Sequence, residues 1–273
     1  MQYIRPPQVA GYFYPAEPVK LQKEINLMLD ICKPQIEAKN IFGIIAPHAG
    51  YIYSGKTAAY AYNAIKGKNY KSVIVISPSH SEYFPGISIF DGDAYQTPLG
   101  VLKVDKELSE KLLKQSKVIR KSQEGHRREH ALEVQLPFLQ SVLKDFKIVP
   151  VVMGDQTKLY IDELASAIAN VMDDTILIVV SSDLSHFHNK MEANELDSIV
   201  EDDIMNMDPE KLMEDLAFNN CEACGGGPIA VMMKAAKLKN IKSSTVLHRS
   251  DSGDTTGDNR EVVGYLSAVV YGD

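Results

Sequence analysis

The chain has 273 residues, 45% of them hydrophobic and 24% charged, and its net charge of -7 without a basic run argues against a nucleic-acid-binding protein. Three cysteines are too few for a disulfide framework, the N-terminus is too polar for a signal peptide, and no apolar stretch approaches the roughly 20 residues of a membrane-spanning helix. We therefore expect a cytoplasmic protein with no nucleic-acid or membrane partner, folded as a single domain over residues 1–273.

Short apolar runs alternate with helical patterns along the chain, which is typical of an α/β fold with a largely parallel sheet. The predicted strands are Ile41–Ala46, Ser72–Ile76, Lys147–Val152, Thr175–Val180, Ser244–His248 and Val262–Tyr271. The predicted helices are Asp105–Gln115, Glu129–Leu143, Lys158–Met172 and a last one from the Gly225 turn to Ala236. We expect Pro137 to kink or break its helix and Arg249–Asp258 to form a polar loop.

Three of the predicted strands are each followed by a histidine within a few residues. These are His48, His80 and His186, and turn-forming residues separate each of them from its strand. Ligands of open α/β sheets bind beyond the carboxyl ends of the strands, so parallel neighbours would bring the three imidazoles to one edge. Such convergence is typical of a metal or acid–base site, although a single loop histidine is more often only exposed. His126 and His248 lack this context and receive no role.

Two further motifs add candidate side chains to this edge. Asp183 precedes His186 by three residues and either orients that imidazole or caps the following helix; both interpretations stay open. Cys224 stands before a glycine-rich helix start, where the helix dipole favours a thiolate. A structural zinc site would need a second cysteine pair, which the sequence lacks. We therefore favour Cys224 as a metal ligand or reactive thiol over a disulfide with Cys221.

Five motifs occur in the order seen in the Memo family, the mediator of receptor-driven cell motility and its bacterial and archaeal relatives. They are APHAGYIYSG, SPSH, EHALEVQLPF, SSDLSHF and CGGGP. The resemblance implies one three-layer α/β/α domain with a central, largely parallel or mixed sheet, similar to class III extradiol dioxygenases, the non-haem iron enzymes that open catechol rings. Carried over by position, it implies metal ligands at His48, His80 and Cys224, with Asp183 and His186 as further pocket residues.

A cysteine stands where the dioxygenases have a carboxylate ligand beside two histidines. A thiolate is softer and favours copper, zinc or a different iron chemistry, so we expect iron or copper, with zinc as the other option. Ring cleavage does not follow from the resemblance. We assign His186 to acid–base or substrate-binding chemistry and expect Asp183 to orient it. Prokaryotic relatives often occur beside a radical S-adenosylmethionine protein and an AMMECR-type protein, which implies a shared pathway.

Three functions fit these residues. The leading hypothesis is a non-haem, metal-dependent oxidoreductase acting on a small aromatic molecule, with Tyr51 and Tyr53 as candidate lining residues. The second is a catalytically idle module that recognises a peptide or protein partner in the same pocket, and the third is zinc-dependent hydrolysis. The substrate, the metal, the oligomeric state, and the roles of His130 and Glu133 stay open.

Overall fold

A mixed nine-stranded sheet organises residues 3–36, 38 and 40–272, which the computed structural model describes. Its strands are β2 (Asn40–Ala46), β3 (Ser72–Pro78), β4 (Ile87–Phe90), β7 (Ile119–Ser122), β8 (Lys147–Met153), β9 (Ile176–Ser181), β10 (His186–His188), β11 (Ser243–Asp251) and β12 (Val262–Gly272). A smaller sheet contains β1 (Ile4–Arg5), β5 (Ala94–Thr97) and β6 (Gly100–Lys103).

The helices cover both faces of the larger sheet. They are α1 (Pro18–Ile31), α2 (Tyr51–Ile65), α3 (Lys106–Leu113), α4 (Ala131–Val142), α5 (Lys158–Val171), α6 (Lys190–Met205), α7 (Pro209–Ala217), α8 (Gly226–Leu238) and α9 (Gly253–Thr256). Among the residues that the structure describes, no helix combines the length and apolar character that crossing a bilayer requires. The predicted α/β architecture with a mixed sheet is confirmed, while the division into domains stays a prediction.

Four parallel strands form the centre of the sheet, in the order β2-β9-β3-β8. They are flanked by antiparallel neighbours, with β12 beside β2 and β4 beside β8. Successive residues of a strand point to opposite faces, and here both faces are buried. Ile44 and Val73 pack in the core beneath α1, α2 and α4, whereas Ile45 and Ile74 pack in the core beneath α3 and α5–α8. Burial on both faces explains why these strands are nearly continuous apolar runs.

One local prediction is wrong, and a second is wrong in one of its two alternatives. The segment Arg249–Asp258 is not simply a loop, because β11 continues to Asp251 through pairing with β12, and α9 follows it. Pro137 does not break its helix: α4 runs from Ala131 to Val142 with nearly every side chain buried. Packing on both sides of the proline outweighs the one helical hydrogen bond that the proline cannot donate.

His126 is fully buried beneath β4. Its Nε2 lies 3.2 Å from the carbonyl oxygen of Ser88, and its Nδ1 lies 2.7 Å from the hydroxyl of Tyr95. The carbonyl only accepts, so Nε2 carries the proton and Nδ1 accepts from the tyrosine. Burial lowers the pKa of His126 to about 3, because the imidazolium would lose its hydration.

Acid should therefore destabilise the fold through His126. The imidazole of His126 takes up a proton below pH ~6.5 in the unfolded chain, but only near pH 3 in the folded protein. The stability that depends on neutral His126 is therefore fully present above pH ~6.5 and is lost progressively as the pH falls from there to about 3. Within this pH range, each unit by which the pH falls should lower the free energy of unfolding by about 1.4 kcal/mol through His126. Urea unfolding at several pH values measures the slope. His126→Asn should flatten it by that amount, and an unchanged slope would contradict the prediction.

Candidate metal centre

The sheet order brings the carboxyl ends of three strands to one place. Because β9 lies between β2 and β3 and all three are parallel, the loops that follow them share one edge. His48 and His80 lie on two of these loops with their ring centroids 5.0 Å apart. Cys224 reaches the same point from the turn before α8, and one donor atom from each of the three residues lies within 4.8 Å of the others. The three side chains thus lie close together, while their assignment as metal ligands stays a prediction.

A serine at the end of β9 fixes the tautomer of His48. The hydroxyl of Ser181 donates to the carbonyl of Ala131 at 2.7 Å, so the same oxygen must accept from Nδ1–H of His48 at 2.8 Å. The amide of Gln135 also donates to it at 2.8 Å. Nε2 of His48 is thus left without a proton, 3.2 Å from Sγ of Cys224. A neutral imidazole held this way is the form that binds a metal.

The electrostatics of His48 also favour its neutral form. Its side chain is 2% exposed, and burial lowers its pKa well below the usual value. The neighbouring imidazoles of His80, His130 and His186 lower it further, because a positive charge on any of them would repel a second. Near neutral pH, Nε2 of His48 is therefore free to donate its lone pair.

A buried carboxylate orients His80 in the same manner. Glu129, two residues before α4, accepts the backbone N–H of His80 at 2.6 Å and Nδ1–H of its ring at 3.0 Å. Burial alone would raise the pKa of Glu129, but the hydrogen bonds from His80 and Ala131 and the electrostatic interaction with His80 together hold the pKa below its usual range. Nδ1 is thus occupied and Nε2 remains free. His80 is the more accessible ligand candidate, with 31% of its side chain exposed.

Cys224 is held in a turn against the end of β9. Its sulfur accepts the backbone N–H of Asp183 at 3.2 Å, and its own N–H donates to the carbonyl of Asp183 at 3.2 Å. Burial raises the pKa of the thiol, and the nearby carboxyl of Asp183 raises it further. The helix dipole therefore does not by itself produce the thiolate expected from the sequence. Metal binding would have to displace the proton. Cys221 and Cys224 are both free thiols, and Cys221 is buried.

A second group of potential ligands consists of His80, Glu129 and His130. The ring of His130 lies 4.7 Å from that of His80 and 5.5 Å from that of His48. This group uses the carboxylate of Glu129, which three N–H groups already engage. A metal there would compete with the contact that orients His80, so we assign Glu129 to orientation. His130 is a third imidazole beside the first group.

Asp183 orients the loop of His48 and not the ring of His186, which corrects the expectation from the sequence. Its Oδ1 accepts the backbone N–H of His48 at 2.7 Å. The ring of His186 is held instead by Leu184, whose carbonyl lies 2.8 Å from Nδ1, and its backbone N–H donates to Glu222 at 3.0 Å. The side chains of Asp183 and His186 therefore have separate hydrogen-bond partners. Asp183 does not cap a helix either, since α6 is capped by Asn189.

Burial gives Asp183 an unusual protonation equilibrium. It raises the pKa of this carboxyl to about 7, although the hydrogen bonds from His48 and Ala49 lower it. The carboxyl oxygen Oδ2 also lies 3.9 Å from Nε2 of His48. A carboxyl group with a pKa near neutrality, beside these three ligand candidates, is able to hold or release a proton there.

The side chains of Glu133 and Tyr51 form their hydrogen bonds with residues other than the three ligand candidates, and Tyr53 is exposed. Glu133 pairs with Arg5 at 2.7 Å. Tyr51 opens α2 and donates its hydroxyl to the carbonyl of Val134 at 2.7 Å, while Tyr53 is largely exposed. Ser181 and Glu129 were missed. The signal that could have found them is a polar side chain at the end of an apolar strand, for Ser181, and directly before an apolar helix, for Glu129.

Comparison with known proteins identifies the family. A family model of Memo-like proteins matches residues 5–269. The chain belongs to the Memo family. A MEMO1 family protein of Thermoplasma volcanium is 39% identical over 269 residues, which cover 97% of this chain and 98% of the relative. MEMO1 family proteins of Methanosarcina barkeri and Methanobrevibacter smithii are 36% and 38% identical and cover 98% and 97% of this chain. The family resemblance predicted from the five motifs is confirmed.

The Memo fold also has a distant likeness among solved structures. The uncharacterized protein JW3007 from Escherichia coli K12 superposes with a TM-score of 0.51 at 14% identity, covering 72% of this Memo-family chain and 85% of that one. At this identity the likeness concerns the fold alone. Any chemistry of the Memo site must therefore be argued from its own side chains.

Proposed function

We propose that His48, His80 and Cys224 bind one transition-metal ion and that the pocket carries out redox chemistry on a small aromatic or phenolic molecule. The supporting observation is that two imidazoles and one thiol converge while Ser181 and Glu129 occupy the far nitrogens of both rings. The ligand nitrogen and sulfur atoms lie within 4.8 Å of one another, which is close to the separations that bonds of about 2.0–2.3 Å to a common ion require.

The donor set favours iron or copper, with zinc as the other option. Two neutral imidazoles and a thiolate form a softer set than two imidazoles and a carboxylate, so an inherited dioxygenase reaction is not assumed. When bound, such an ion supplies Lewis acidity and, for iron or copper, electron transfer. The three free thiols fit a reducing compartment, and we place the protein in the cytoplasm.

His186 is proposed as the proton acceptor for the bound molecule. Its Nδ1–H donates to the carbonyl of Leu184, so Nε2 is an unprotonated acceptor. Partial burial lowers the pKa of His186, which keeps the ring neutral at physiological pH. A neutral imidazole of this kind accepts a proton from a phenolic hydroxyl as that oxygen binds. Asp183 and His130 are further groups at which a proton could be held.

Metal analysis of protein purified anaerobically from its own host tests the proposal, followed by oxygen uptake with catechols. Bound iron or copper together with uptake is the expected result. Zinc alone without uptake would favour hydrolysis, and absence of any metal under all loading conditions would favour a binding module that recognises a peptide or protein. Either of these two outcomes contradicts the proposed redox function.

Replacing His186 should separate metal binding from turnover. His186→Ala should keep the metal stoichiometry of the parent and lower turnover of a catechol substrate by roughly 100-fold or more, the usual contribution of a general acid or base. His248→Ala is the matched control, because His248 stacks on Tyr60 away from the site and should leave both quantities unchanged. If His186→Ala strips the metal as completely as His80→Ala does, then His186 is a ligand and the assignment is wrong.

A further inference from the structure

The fourth parallel strand also sends a side chain toward the candidate metal centre. Gln156 lies three residues beyond the carboxyl end of β8, in the loop before α5. Its amide nitrogen donates to the carbonyl oxygen of Cys224 at 2.8 Å, and its amide oxygen accepts the backbone N–H of Gly227 at 2.7 Å. One side chain therefore spans the turn that carries the sulfur and the first turn of α8.

The glycines of this turn show how closely the surrounding groups approach. A Cβ at Gly227 would lie 2.7 Å from Oε1 of Gln156 and 2.8 Å from its Cβ. A Cβ at Gly225 would lie 2.3 Å from the carbonyl oxygen of Ser181 and 2.8 Å from the Cβ of Ser182. The turn is thus clamped between the end of β9 on one side and Gln156 on the other, and there is no room for larger residues.

The contacts from β9 hold only part of the turn. The N–H of Gly225 donates to the hydroxyl of Ser182 at 2.9 Å, and the N–H of Cys224 donates to the carbonyl of Asp183. The carbonyl of Cys224 is engaged by Gln156, so the peptide plane that follows the cysteine is oriented from β8. Together with the peptide plane before Cys224, that plane sets the direction in which the Cα–Cβ bond of Cys224 leaves the chain.

We propose that Gln156 is a positioning residue for Cys224, which directs the sulfur at the point shared with His48 and His80. This rests on the proposed metal-binding function. Groups behind the ligands of a metal typically change affinity by roughly 10- to 100-fold when they are removed. Ser181 and Glu129 each contact the ring of a ligand candidate, whereas Gln156 contacts the backbone of the turn that carries Cys224. All four parallel strands then contribute to one centre.

Cobalt titration tests the proposal. Gln156→Met keeps the length of the side chain and removes both hydrogen bonds. We expect its affinity for Co²⁺ to fall by about tenfold or more, with weaker sulfur-to-cobalt charge-transfer absorption per bound ion. Gln140→Met is the matched control: Gln140 is a partly buried glutamine of α4 that accepts from Thr97, and its replacement should change neither quantity. A purely structural role would lower thermal stability while leaving the absorption per bound ion unchanged.

A metal-free measurement keeps the test independent of the proposed function. The rate at which iodoacetamide alkylates Cys224, read by mass spectrometry, should change at least about threefold in Gln156→Met, since sulfur position controls access and reactivity. Should that variant fail to fold, Gln156→Glu retains the acceptor for Gly227, loses the donor to Cys224, and should show the same changes. Unchanged alkylation, affinity and absorption would overturn the proposal. Failure of the parent to bind Co²⁺ would overturn the metal site, and the alkylation rates would still decide the role of Gln156.

Discussion

Replacing Cys224 by alanine should lower the affinity of the site for Zn²⁺ and Cu⁺ by about 100-fold or more, because a ligand is worth more than the roughly 10- to 100-fold that groups behind ligands contribute. The sulfur lies 3.2 Å from Nε2 of His48, and it is the soft donor of the set. Competition with a chromophoric chelator under anaerobic conditions measures the affinity. The parent and the variant should be compared at one pH, since binding displaces the thiol proton.

Cys221 provides the matched control for this substitution. It is three residues away, is buried in the core beneath α5–α8, and also has a raised thiol pKa, chiefly because of burial. Cys221→Ala should leave the affinity unchanged. Cys224→Asp should instead move the preference from Cu⁺ and Zn²⁺ toward Fe²⁺ and Mn²⁺, since it recreates two histidines and a carboxylate. Equal affinities of the parent and Cys224→Ala would remove cysteine from the ligand set.

Replacing Arg5 by methionine should lower the free energy of unfolding by about 3–5 kcal/mol, the usual effect of removing one partner from a buried ion pair. Arg5 is 1% exposed and donates to Glu133 at 2.7 Å. It also donates to the carbonyls of His126 at 2.5 Å and Glu129 at 2.6 Å. The variant leaves a buried carboxylate without its cation and two carbonyls without a donor. Urea unfolding at pH 7 measures the change.

A double variant distinguishes the ion pair from simple packing. Glu133 also accepts from the hydroxyl of Tyr14 and from the backbone of Gln8 and Val9, so it holds the N-terminal segment against α4. If the unpaired charge causes the loss, Arg5→Met with Glu133→Gln should be more stable than the sum of the single changes predicts. Arg260→Met is the control. Because Arg260 is exposed, its replacement should leave the free energy of unfolding nearly unchanged. Strict additivity would contradict the ion-pair explanation.

Much of the central sheet could be predicted because its signal is local. The strands later found as β2, β3, β8 and β9 are apolar at nearly every residue, which only a strand covered on both faces requires. The four-residue strands β4–β7 carry too few residues to show a period, and they were missed. Helix α2 was missed as well, because its residues begin directly after the His48 loop and small buried alanines replace a clear apolar stripe.

The sequence by itself determined which side chains stand at strand ends, since apolar runs and turn residues place His48 and His80 there whatever the strand order. It also supplied the five motifs that identify the Memo family. Only the tertiary structure decided that β9 separates β2 from β3, and thus that these imidazoles meet Cys224. It alone decided that Ser181 and Glu129 orient the rings, from 133 and 49 positions away. The physical reason is that a hydrogen bond depends on where packing brings two atoms, and the period of a sequence carries no information about a partner so far along the chain.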